Sequence, residues 1–159
     1  MNLCFYQVLL FLIFLAIRRS LRISLIIVES LDTLVTFCDL TSNEVNLPET
    51  IIQSPNYPDE YDNNVDCIVK VKLSEGEVVS LEILDFHVHE SFQCENDFLE
   101  IRDGDNQEAR LITRICGDYG STHFKASGNT MHLRFHSNGD STAKGFRVKL
   151  EIGIAHKLF

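Results

Sequence analysis

After Cys38 the apolar side chains recur mainly at every second residue, the period of a half-buried β-strand rather than of a helix. Val69, Val71 and Leu73 alternate with Lys70 and Lys72; Leu99 and Ile101 with Glu100 and Arg102; Met131, Leu133 and Phe135 with His132, Arg134 and His136. Phe146, Val148, Leu150 and Ile152 alternate in the same way with Arg147, Lys149 and Glu151. Val79, Leu81 and Ile83 keep the rule, after which Leu84 and Phe86 fall on the opposite parity, the pattern of a β-bulge or a fully covered strand end. Turn chemistry separates the runs at Ser54-Pro55-Asn56-Tyr57-Pro58, Ser74-Glu75-Gly76-Glu77, Asp103-Gly104-Asp105-Asn106, Ser127-Gly128-Asn129 and Asn138-Gly139-Asp140. Short antiparallel strands with one apolar face each must stack as two sheets or close on themselves. The expected fold is therefore all-β, a jelly-roll β-sandwich of two antiparallel sheets.

Five cysteines bear on the compartment. Cys4 lies in an apolar leader, which leaves Cys38, Cys67, Cys94 and Cys116 as an even set with separations of 29, 27 and 22. No Cys-x-x-Cys pair occurs, so a zinc ribbon is disfavoured and disulfides are preferred over free buried thiols. Pairing in chain order would close loops that stabilise by about 3 to 4 kcal/mol each, in an oxidising compartment. The 159 residues, 45% hydrophobic and 23% charged, suit one globular domain with some extra sequence. The net charge is −9, and Arg18, Arg19 and Arg22 against Glu29 and Asp32 give the first 37 residues +1, so the remainder carries −10. That balance excludes nucleic acid as a natural partner and favours cations or basic protein surfaces.

The leader runs through Leu3–Ile17, fifteen almost wholly apolar residues, followed by the three arginines and a second apolar stretch, Ile23–Val28. Fifteen residues are short for a membrane span and suit a signal-peptide hydrophobic region. Two alternatives remain open. A retained anchor with arginines on its C-terminal flank would leave the body in the cytosol, against the cysteines. A later signal would use Arg18–Arg22 as its basic region and Ile23–Val28 as its apolar part. The expectation is cleaved export, with residues 1–37 as leader, 38–152 as the domain and 153–159 as a tail. No Asn-x-Ser/Thr acceptor is present, so no N-linked glycan is expected.

Order and spacing across 38–152 resemble the CUB domain, the extracellular module of complement-activating proteases, tolloid-type metalloproteases, neuropilins and spermadhesins. Cys38 is followed by Ser54-Pro55-Asn56-Tyr57-Pro58, similar to the family's SPNYP turn, then by Tyr61 and Cys67. Phe86, Cys94, Asp97, Leu99, Glu100, Arg102, Asp103 and Gly104 resemble its central strand and turn. Cys116-Gly117 resembles the fourth cysteine with its glycine, and Phe135-x-Ser137 through Gly145-Phe146 the last hairpin. The resemblance implies a two-sheet jelly roll with Cys38 bonded to Cys67 and Cys94 to Cys116. Val69 departs from the aromatic residue common at that position, yet still suits an inward strand position.

The resemblance also implies a calcium site at one end of the sandwich. Matched by position, its ligands fall on His89, Asp97 and Asn138, and of these only Asp97 keeps the family's carboxylate. Calcium takes about six to eight oxygens and gains affinity with carboxylate count, so His89 and Asn138 degrade the site. Asp140 and Glu90 lie close by in sequence as substitutes, although a regular strand would turn Glu90 to the other face. His87 and His89 share parity and, with Asp97 and Asp140, offer an imidazole and carboxylate set of the kind zinc takes; the plainer reading leaves both histidines facing solvent. Calcium-dependent recognition is thus less favoured here than the resemblance alone implies.

No chemistry of an enzyme is legible. There is no Gly-x-Ser-x-Gly elbow and no His-Glu-x-x-His, and His123, His132, His136 and His156 are scattered. The expected function is non-catalytic extracellular recognition of protein or carbohydrate through the loops Phe86–Asp97 and Ser137–Lys144, with Asp97, Asp140 and Glu90 clamping a partner's lysine. Tyr57 and Tyr61 are either partner-facing anchors or packing for the turn. Two other functions stay open: an accessory unit of a modular secreted protease, and a spermadhesin-like single module that coats a surface.

Overall fold

The computed structural model describes residues 33–40, 44–45 and 49–154. The apolar leader up to residue 32 and residues 155–159 of the tail lie outside the described residues. The strands run β1 Thr33–Thr36, β2 Glu44–Val45, β3 Thr50–Gln53, β4 Asp66–Lys72, β5 Glu77–Val88, β6 Phe98–Asp103, β7 Arg110–Ile115, β8 Gly117–Tyr119, β9 His123–Lys125, β10 Thr130–His136 and β11 Gly145–Ile154. One sheet has the order β1-β3-β11-β5-β8, with β9 also paired to β5; the other has the order β2-β4-β10-β6-β7. Pairing is antiparallel except at two edges, where β1 lies parallel to β3 and β2 parallel to β4. Strand structure thus begins ahead of Cys38 and continues past Ile152.

The alternation read from the sequence is what fills the space between the sheets. Val69, Val71, Leu133, Phe135, Leu99 and Ile101 project inward from the second sheet, against Leu81, Ile83, Phe86, Phe146 and Val148 from the first. Four rings bind the two layers: Phe135 meets Tyr61 and Phe146 edge-on at 5.1 Å each, and Phe37 meets Phe146 at 5.6 Å. Such pairs add about 0.5 to 1.5 kcal/mol each beyond the area they bury. The parity change at Leu84 is a bulge: Val148 pairs with Ile83 but Arg147 with Asp85, which leaves Leu84 unopposed and 41% exposed. Below the bulge Phe86 and Val88 resume the inward face. Cys38 is bonded to Cys67, and Cys94 to Cys116.

The outer face of the second sheet holds a buried carboxylate. Glu100 is 3% exposed and accepts from Arg102 Nε at 2.6 Å and from Arg114 Nη2 at 2.6 Å, while Arg114 also lies 4.2 Å over the Phe98 ring. Burial works to raise the Glu100 pKa, but the hydrogen bonds from Arg102 and Arg114 outweigh it and hold the carboxyl below its usual range. A depressed folded pKa means stabilisation that is complete at neutral pH and lost as pH falls through the folded value. Glu100→Gln is expected to cost about 2 kcal/mol at pH 7, the scale of a charge-assisted bond. Melts between pH 7 and 3 should show a shallower acid slope for the variant than for the wild type; parallel slopes would rule out this carboxylate as a source of acid lability.

Candidate functional site

Three loops meet at one end of the sandwich, and a buried tyrosine holds them together. Tyr61 is 1% exposed and donates its hydroxyl hydrogen to Asp97 Oδ2 at 2.6 Å, while accepting the main-chain N–H of His89 at 3.0 Å. Asp97 is fully buried, and its other oxygen accepts the N–H of Asn138 at 2.8 Å. Asn138 in turn offers Oδ1 to the N–H of Asp140 at 3.0 Å and its carbonyl to the N–H of Asn64 at 2.8 Å. Burial first, and then the bond to Asp97, push the Tyr61 phenol well above its ordinary pKa, so it stays protonated and donating.

The motif residues that flank this network have plain structural reasons. Ser54 is fully buried, donates its N–H to the Phe146 carbonyl at 2.9 Å and accepts the Phe146 N–H on Oγ at 3.0 Å. Ser137 Oγ accepts the Val65 N–H at 2.9 Å and donates to the Asp62 carbonyl at 2.8 Å. Asp103 accepts the Ser127 N–H at 2.8 Å and Arg110 at 2.6 Å, fixing the turn after β6. Serine is short enough to bond back to the chain where a longer polar side chain could not fit.

The structure therefore brings Asp97, Asn138 and the main chain of His89 together around Tyr61, and places Asp140 and Glu90 as exposed neighbours. Of the two roles open to Tyr61, its surroundings fit packing of the turn rather than a partner-facing anchor, because its ring packs on Phe135 and its hydroxyl is used twice. Tyr57 is half-buried, and its hydroxyl donates to Asp85 at 2.5 Å. Asp85 also accepts from Lys144, and His87 Nε2 lies 3.1 Å from it. Burial raises the Asp85 pKa, but Lys144 and Tyr57 prevail and hold it below its usual range. His87 Nδ1 lies 2.7 Å from Asp118, so this imidazole bridges β5 and β8 on the first sheet and is not a partner of Asp97.

The three matched positions supply one carboxylate, a poor donor set for calcium. His89 brings no carboxylate: its main-chain N–H bonds Tyr61, and its side-chain Nδ1 is buried with no hydrogen-bond partner among the described residues. Asn138 Oδ1 and each Asp97 oxygen accept one hydrogen bond, and Asp97 is the one carboxylate among the three matched positions, whereas calcium takes about six to eight oxygens and gains affinity with carboxylate count. Nor do His89, Asp97 and Asp140 converge: among the described residues one group of three His, Cys, Asp or Glu donors lies within 4.8 Å, and it is Glu82, His123 and Glu151 on neighbouring strands of the first sheet. Lys149 sits 3.6 Å from Glu151 there and supplies a counter-charge. Sequence reasoning missed this trio because its members lie on three strands whose register a single sequence does not show.

Two features of the loop between His89 and Asp97 also escaped it. Gln93 and Cys94 both adopt left-handed backbone, with φ of 52° and 51°, a conformation that costs non-glycine residues about 1 to 3 kcal/mol each. Phe92 beside them is 79% exposed. No helix among the described residues is long and apolar enough to cross a membrane.

Comparison with known proteins gives these geometries a family. The family model described as CUB domain matches residues 38–150. Bone morphogenetic protein 1 of Xenopus laevis is 37% identical over 109 residues, which are 69% of this chain and 15% of that protein, so the chain spans about a seventh of this relative. Among solved structures, the CUB1-EGF-CUB2 domain of human MASP-1/3 superposes with a TM-score of 0.63 at 21% identity, over 71% of this chain and 42% of that one. The MASP-1 CUB2 domain bound to Ca2+ superposes with a TM-score of 0.58 at 23% identity, over 70% of this chain and 98% of that one.

Proposed function

The chain belongs to the CUB family, and on that premise we propose that it acts outside the cell as a non-catalytic module that binds protein through its Tyr61–Asp97–Asn138 end, without calcium. The observation that carries this reading is the place of Asp97: a fully buried carboxylate with one oxygen on Tyr61 and the other on Asn138 ties the loops together by hydrogen bonds. Two disulfides favour an oxidising compartment. Exposed carboxylates at that end, including Glu60, Asp62, Glu90 and Asp140, together with the −9 net charge, favour a partner with a basic surface.

Thermal melting of the full chain in calcium and in EDTA tests the ion-free reading. An ion bound at 100 times its Kd would stabilise by about 2.7 kcal/mol. The expected result is coincident melting curves, and a calcium-dependent rise of several degrees would restore the ion site. A second reading, an accessory unit of a longer modular protease, draws support from the small share of bone morphogenetic protein 1 that the chain spans. A continuous reading frame running into a His-Glu-x-x-His or serine-protease signature would establish it.

A further inference from the structure

Phe92 is the most exposed large hydrophobic side chain among the described residues, at 79%, and it stands on the loop that leads into Asp97. We infer that Phe92 is an anchor for a protein partner, and that the partner offers an apolar patch rimmed by Lys or Arg. The inference rests on the reading of this end as the recognition end and adds to it the residue that makes contact and the chemistry it meets.

The loop presents Phe92 in a fixed position. Its base is pinched by Tyr61, which accepts from His89 and donates to Asp97. Inside it, Ser91 Oγ accepts the Asn96 N–H at 3.1 Å, the Ser91 carbonyl accepts the Cys94 N–H at 3.1 Å, and the Phe92 carbonyl accepts the Glu95 N–H at 3.2 Å. Cys94 is bonded to Cys116, which ties the tip to the sandwich. The two left-handed residues that follow Phe92, Gln93 and Cys94, lie within these contacts. A loop held this way loses little backbone freedom on binding.

The core makes no use of the ring, which is absent from the buried cluster and from the hydrophobics packed against it. A phenylalanine so placed burns no hydrogen-bond potential and gains only from being covered, the behaviour of an interface hot spot. Its surroundings set the partner's charge. Glu90 and Glu95 flank it as exposed carboxylates, Asp62 and Asp140 are exposed on the adjoining loops, and Lys144 at this end is already held by Asp85. An aromatic knob on an acidic loop complements an apolar patch with Lys or Arg beside it, and it repels an acidic partner.

A random peptide library displayed on phage and selected on the immobilised full chain tests this. Enriched peptides are expected to pair a bulky apolar residue with Lys or Arg, and to bind Phe92→Ser about ten-fold more weakly or worse, with the melting temperature of that variant unchanged. Enriched peptides that bind Phe92→Ser as tightly as wild type, or no enrichment at all, overturn the anchor. The double variant Glu90→Gln/Asp140→Asn separates the two ideas. Weaker binding to it with unchanged binding to Phe92→Ser leaves the recognition end standing without its anchor, whereas unchanged binding to both variants removes the recognition end as well.

Discussion

Gly145→Ala is expected to destabilise the domain by about 5 kcal/mol. Gly145 has φ of +90°, where an alanine is strained, and a Cβ built there would lie 1.9 Å from Ser54 Oγ and 2.9 Å from Ser54 Cβ. Ser54 cannot yield, because it is fully buried and its Oγ accepts the Phe146 N–H that opens β11. The backbone cost is about 1 to 2 kcal/mol, overpacking adds about 1 to 3 kcal/mol, and a lost buried hydrogen bond about 1 to 3 kcal/mol. A total near 5 kcal/mol approaches the whole stability of a small domain, roughly 5 to 15 kcal/mol. Gly128→Ala is the matched control, since nothing lies within 4 Å of its Cβ position, and it should change stability by less than about 0.5 kcal/mol. Yield of soluble chain and denaturant midpoints measure both. A Gly145→Ala domain with a wild-type midpoint would show that β11 can enter the sheet by another path. Adding Ser54→Gly should recover part of the loss by removing the clash, and should leave the backbone strain.

That glycine was legible in the sequence as part of a hairpin motif, but its reason was not. Alternation located β4, β6, β10 and β11 because each turns one apolar row of side chains into the core, and the parity break at Leu84 located the bulge in β5. β7 lies at a sheet edge and pairs with β6 across a second irregularity between Ile101 and Arg102, so its burial does not alternate and its sequence signal is lost. β1 and β3 pair in parallel, and that depends on contacts no local pattern encodes. The same limit applies to Glu100: alternation reads it as facing solvent, and it does lie on the outer face, but Arg102 and Arg114 close over it. At the site, the resemblance to the CUB domain is what singles out Asp97. Tyr61, 36 residues earlier, could not be assigned as its hydrogen-bond donor until the fold placed one under the other.

Because both Asp97 oxygens have partners, Asp97→Ala is expected to cost about 3 to 5 kcal/mol, with the Tyr61 hydroxyl and the Asn138 N–H left unpaired at about 1 to 3 kcal/mol each and a small cavity added. Tyr61→Phe should cost less, about 1 to 3 kcal/mol, since it removes one donor and strands the His89 N–H. If the two side chains act through their shared bond, the double variant loses less than the two single losses combined, by about 0.5 to 3 kcal/mol. Urea denaturation of the four proteins completes the cycle, and strict additivity would mean that the 2.6 Å contact contributes nothing of its own. Run in calcium and again in EDTA, the cycle also separates two roles for Asp97. A ligand would give an Asp97→Ala penalty that grows with calcium, because only the wild type could then bind the ion. A clamp between loops gives the same penalty in both, since its bonds to Tyr61 and Asn138 do not involve the ion, and that equality is what the hydrogen-bonded arrangement around Asp97 requires.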